Sequence, residues 1–118
     1  MANTKTVGAS GADYTTVQGA LDWMVANHDY GTDGIAKVEI IDSGTYTFST
    51  TYNCNIAGTP SSTAYLEITS NAANPFSGPV INCTQTSNAA LYLWDSYTYI
   101  HNLEFQLNNT STSTECVR

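Results

Sequence analysis

The period of apolar and polar positions changes once along the chain, near Gly34. Before that point, "TTVQGALDWMVANH" places Val17, Ala20, Leu21, Met24 and Val25 at the i, i+3, i+4, i+7, i+8 spacing of one helical stripe. Thr15 and Gln18 read as a capping box. Asn27, Gly31 and Gly34 read as the stop, which predicts a helix over about 15–28. His28 falls at its C-terminal end, where a cation suits the helix dipole. After Gly34 the runs "KVEII", "TYTF", "YNCNI", "YLEIT", "PVINC", "ALYLW" and "YIHNLEF" alternate with period two. Short polar stretches such as "DSG" and "AGTPSST" separate them, so they predict strands between about 36 and 107. The polar "NNTSTSTE" predicts a loose tail over 108–118, and the whole length fits one domain.

Hairpin signals such as Asn-Gly are missing between these runs, which argues against a sandwich of hairpins. An apolar-Glu-apolar phrase recurs instead, at Val38-Glu39-Ile40, Leu66-Glu67-Ile68 and Leu103-Glu104-Phe105. Each phrase puts two apolar side chains on one face and Glu on the other. The spacings are 28 and then 37 residues, so any repeat is loose. In "KVEIIDSGTYTF" Gly44 would let the strand turn a corner without reversing. The expected class is all-β: a short parallel β-helix, or solenoid, with one N-terminal capping α-helix.

"VGASGADYTTVQGALDWM" followed by "KVEIIDSGTYTF" resembles the N-terminal region of pectin-lyase-like right-handed β-helix proteins. The matching residues are Tyr14, Thr15, Val17, Gln18, Ala20 and Leu21, then Gly44, Thr45 and Tyr46. Ile100, Asn102, Leu103 and Phe105 match a coil phrase of that family, and the resemblance spans roughly Thr6 to Asn109. It implies a right-handed solenoid of two to three coils with the helix across its first coil. In the lyases, hydrolases and esterases of this family the catalytic carboxylates and cations sit on later coils. Nothing here matches them, and no Arg precedes Arg118, so no catalytic residue is carried over.

Charge narrows the range of partners. Charged residues make up only 11% of the chain, the formal net charge is −7, and Lys5, Lys37 and Arg118 are the only cationic side chains apart from histidine. No basic patch can be assembled, which disfavours nucleic acid, anionic lipid and unbridged polyanionic sugars as partners. No apolar run approaches the ~20 residues of a membrane helix, so no membrane insertion is expected. The Thr-, Ser-, Asn- and Tyr-rich composition fits an extracellular or surface-displayed protein, although no secretory signal precedes Ala2. Cys54, Cys83 and Cys116 match no zinc or thioredoxin spacing. A Cys54–Cys83 disulfide and a pair of buried free thiols remain alternatives.

Two constellations could carry chemistry. Glu39, Glu67 and Glu104, with Asp42 and Asp95 nearby, could stack into an acidic row able to hold Ca²⁺; the alternative is a set of solvated side chains. In "ALYLWDSYTY", Tyr92 and Trp94 point outward if Leu91 and Leu93 point inward, with Tyr97 and Tyr99 in the same phase beyond the corner. Exposed aromatics of this kind stack on sugars or bury in protein interfaces. The leading expectation is a non-enzymatic structural or assembly module that self-associates, as a dimer or head-to-tail filament, through an open end or the aromatic face. The alternatives are a carbohydrate-binding module using the aromatics and a fragment of a polysaccharide-processing enzyme.

Overall fold

A computed structural model describes residues 2–86, 88–108 and 114–118. In chain order the elements are β1 (Asn3–Val7), α1 (Val17–Asn27), α2 (Tyr30–Asp33), β2 (Ala36–Ile40), β3 (Thr45–Phe48) and β4 (Tyr52–Cys54). They continue with β5 (Leu66–Ser70), β6 (Val80–Cys83), β7 (Ala89–Leu93), β8 (Thr98–Ile100), β9 (Glu104–Leu107) and β10 (Glu115–Val117). The strands form three short sheets, ordered β1-β2-β5-β8, β3-β6-β9 and β4-β7-β10, in which every pair is parallel.

The expected class, all-β with a short right-handed parallel β-helix, is corrected to a small α/β fold of ten strands and two helices among the described residues. The decisive element is β1. It precedes α1 and pairs in parallel with β2, Asn3 opposite Ala36 through Val7 opposite Ile40. The helix is therefore the crossover of a βαβ unit and not an N-terminal cap. Strand β1 escapes the apolar pattern because "NTKTV" carries one large apolar residue, and its Lys5 ammonium sits 4.1 Å over the Trp23 ring of α1.

The helical stripe buries Val17, Ala20, Leu21 and Met24, while Val25 is exposed. The cap lies one residue later than the capping box predicts: Thr16 Oγ1 accepts from Gly19 N at 3.0 Å. Thr16→Ala should cost about 1 kcal/mol, read as a lower urea midpoint with an unchanged slope. His28 caps the other end and is buried. Asn3 Nδ2 donates to its Nδ1, and its Nε2 donates to the Gly34 carbonyl, each at 3.0 Å.

Inward residues of all three sheets share one core with α1. Val38, Ile40, Leu66 and Ile68 come from the first sheet, Phe48, Ile81 and Cys83 from the second, and Cys54 and Leu91 from the third. Ile100, Leu103, Phe105 and Val117 pack on this core but stay partly exposed. The corner after β2 is made by Asp42 and not by a left-handed Gly44. One carboxylate oxygen accepts from Gly44 N at 3.0 Å and from the Tyr46 hydroxyl at 2.6 Å, and the other from Ala9 N at 2.8 Å.

"YIHNLEF" is two strands and not one. Asn102 adopts φ 62° between β8 and β9, and its amide donates to the carbonyls of Ser70 and Ala72 at 3.1 and 2.7 Å. The tail expected to be loose carries β10, which pairs with β7; residues 109–113 of that tail lie outside the described residues. No described helix is long and apolar enough to cross a membrane.

Candidate functional site

The outward side chains at one end of the first sheet form an open surface cavity. Strand β8 adds beside β5 with Leu66 opposite Thr98, Glu67 opposite Tyr99 and Ile68 opposite Ile100. Alternation turns Leu66, Ile68 and Ile100 toward the core, leaving Tyr65, Glu67, Tyr97 and Tyr99 on the outer face. Ser62 joins them from a tight turn closed by the Ser61 N–H to the Ala64 carbonyl at 2.8 Å. Ser62, Tyr65, Tyr97, Thr98 and Tyr99 line an open cavity of about 180 Å³.

Neighbouring groups hold this cavity in shape. His101 stacks on Tyr99 with ring centroids 4.2 Å apart, and its Nε2 lies 2.7 Å from Glu67 Oε2. The Tyr97 carbonyl accepts from Leu66 N at 3.3 Å. The turn leading into Tyr97 is pinned by Asp95, whose Oδ2 accepts from the Tyr30 hydroxyl at 2.9 Å. Burial raises the Asp95 carboxyl above its ordinary value, opposed by hydrogen bonds from Tyr30 and the Ile56 backbone. The cavity walls therefore stand on a paired strand and a hydrogen-bonded corner.

Comparison with protein-family models, curated proteins and solved structures finds no match. The site's chemistry is accordingly read from its own residues.

The four aromatics expected to form one platform fall into two groups. Tyr92 lies on β7 of the third sheet and Trp94 just past its end, with centroids 5.2 Å apart at 40°, and Trp94 is 61% exposed. The Arg118 guanidinium lies 5.9 Å from the Tyr92 ring. Tyr97 and Tyr99 lie beyond the Asp95 corner on the first sheet, 48% and 55% exposed. The alternation rule places each ring outward but is silent about a change of sheet at the corner. Tyr65 and Ser62 escaped the sequence reading. The signal for Tyr65 was its phase, two residues before the outward Glu67.

The three glutamates do not form a row. Glu39 lies opposite Thr69, with its carboxylate 3.7 Å from the Lys37 ammonium. Glu67 lies opposite Lys37 and Tyr99 and contacts His101. Glu104 is in another sheet, opposite Val80, and accepts from Gln106 Nε2 at 3.0 Å. The apolar-Glu-apolar phrase thus recurs without being a structural repeat. Among the described residues, no three His, Cys, Asp or Glu side chains group in a way that could hold a metal ion such as Ca²⁺. The cysteines are free; Cys54 ends β4 in the third sheet and Cys83 ends β6 in the second.

Proposed function

We propose that the chain binds a neutral polysaccharide in the Tyr65–Tyr97–Tyr99 cavity. The observation that carries this reading is the exposure of Tyr97 and Tyr99 on the walls of an open cavity that also presents the Ser62 hydroxyl. Sugar rings offer apolar C–H faces and a rim of hydroxyls. Tyrosine meets both needs, with a ring to stack and a phenol to hydrogen-bond. The hydrogen-bonded backing of the cavity would lower the ordering cost of binding. Glu67 beside the cavity and the net charge of −7 favour neutral over acidic glycans.

Affinity electrophoresis through gels containing soluble neutral polysaccharides tests this. The chain should be retarded by at least one neutral polymer and less by polygalacturonate. Tyr99→Ala should weaken the retarding interaction roughly tenfold. Unchanged mobility across mannan, xylan and β-glucan gels would remove the reading.

A second reading is favoured by a separate observation. Strands β8, β9 and β10 each stand at the edge of a sheet, while the partly exposed Phe105 and Val117 and the exposed Leu107 cluster on the last two. Edges with apolar flanks are templates for a second copy of the chain. Light scattering after size exclusion separates the readings: a dimer or larger assembly abolished by Leu107→Lys supports self-association, and a monomer excludes it.

A further inference from the structure

Tyr99 is the most exposed ring of the cavity and stands on β8, an edge strand. A free surface tyrosine samples several rotamers, and ordering it on a ligand costs affinity. Here the ring already has a partner. The His101 imidazole stacks on it, with centroids 4.2 Å apart and planes 29° from parallel. The imidazole is itself held from two sides. Its Nε2 donates to Glu67 Oε2 at 2.7 Å, and the His101 backbone N–H donates to the Ile68 carbonyl at 3.1 Å. Glu67 is the cross-strand partner of Tyr99, and His101 lies two residues on, at the diagonal position that long and aromatic side chains reach.

The rest of the outer face leaves this pairing undisturbed. Glu67 also stands opposite Lys37 on β2, but the Lys37 ammonium turns to Glu39 at 3.7 Å. The residue after His101 is fixed as well, since the Asn102 amide donates to the Ser70 and Ala72 carbonyls. The Glu67 and His101 side chains are 18% and 36% exposed, so their hydrogen bond is partly sheltered from water. Carboxylate, imidazole and phenol ring therefore form one chain of contacts that ends at the cavity wall.

We propose that His101 is a positioning residue of the glycan cavity: held by Glu67, it backs one face of the Tyr99 ring and leaves the other for the sugar. This rests on the glycan reading and deepens it. Tyr99 enters the complex already ordered, so His101 raises affinity without touching the ligand. Because the imidazole acts through the ring, its contribution exists only while Tyr99 is present.

The test joins proton NMR of the free chain to a double-mutant cycle read by affinity electrophoresis. In the free chain the His101 ring protons should lie upfield of their position in Tyr99→Ala, because the phenol ring shields a group stacked on its face. In gels of the neutral polymer that most retards the unaltered chain, His101→Ala should weaken binding about fivefold. Its Tm should stay within a few degrees, about the worth of one partly exposed contact. His101→Phe keeps a ring against Tyr99 and should recover most of the loss. His101→Gln keeps a donor for Glu67 without the ring and should not. In the Tyr99→Ala background, His101→Ala should add nothing. An equal further loss in that background, no upfield displacement, or no recovery with His101→Phe would overturn the proposal and leave the glycan reading standing. No retardation of the unaltered chain in any neutral gel would remove both.

Discussion

Phe48→Ala should cost about 4 kcal/mol, enough to bring a domain of ordinary stability to the edge of unfolding. Phe48 is 1% exposed and ends β3 at the point where the second sheet meets the shared core. Its Cα partner is the equally buried Cys83, and its carbonyl accepts from Thr84 N at 2.9 Å. The surrounding backbone is thus tied in place and cannot collapse into the void. The penalty combines lost burial with the retained cavity. Phe48→Leu keeps most of the volume and should lose less than about 1.5 kcal/mol. Urea titrations followed by circular dichroism measure both. Equal losses for the two variants would mean that the cavity is not what sets the cost.

The second large effect is alkaline. Tyr30, Tyr46 and Tyr52 donate their hydroxyls to Asp95, Asp42 and Asp22 at 2.9, 2.6 and 2.7 Å. Burial, and then the accepted carboxylate contact, raises each phenol above the ordinary tyrosine range. The folded chain therefore keeps these phenols neutral at a pH where the unfolded chain ionises them. Their contribution is fully present below about pH 10 and is lost as pH climbs toward the folded values, at about 1.4 kcal/mol per pH unit for each phenol. Three acting together set an upper slope of about 4 kcal/mol per unit, trimmed where water reaches Tyr52. The Cys54 thiol, pushed up to about 12 by burial, starts the loss somewhat earlier. Phenolate absorbance and circular dichroism recorded together through about pH 11 provide the check. Absorbance from three of the eight tyrosines should appear only as the fold is lost. Phenolate absorbance from all eight before any spectral change would contradict the three carboxylate contacts.

Much of the fold was legible because local pattern and burial agree. The stripe of α1 buries the residues its spacing selects, and "YLEIT" and "PVINC" become β5 and β6 with alternate residues inward. The class was not legible, because one strand decides it. Polar β1 has no apolar alternation to show, and without it the helix reads as a cap rather than a crossover. The phrase around Glu104 misled for a related reason. Asn102 adopts a left-handed conformation that ends β8, so identical local chemistry is delivered to a different sheet.

The candidate site was half legible. Outward phase identified Tyr97 and Tyr99 as surface rings. Their joining with Tyr65 and Ser62 depends on which strand β8 lies beside, and a two-residue period carries no such information.

The parallel pairing has a consequence for how the chain reaches this state. Partner residues are separated by 24 positions at the closest, Val80 to Glu104, and by 39 at the widest, Tyr52 to Leu91. No strand can zip onto its sequence neighbour from a tight turn, so each ladder begins with the closure of a long, floppy loop whose entropy is spent before any contact repays it. Helix α1 can form early and locally, but β1 must wait for β2 to be made before it has an edge to join. The chain should therefore fold slowly for its length, with a late, cooperative commitment in which the three sheets appear together.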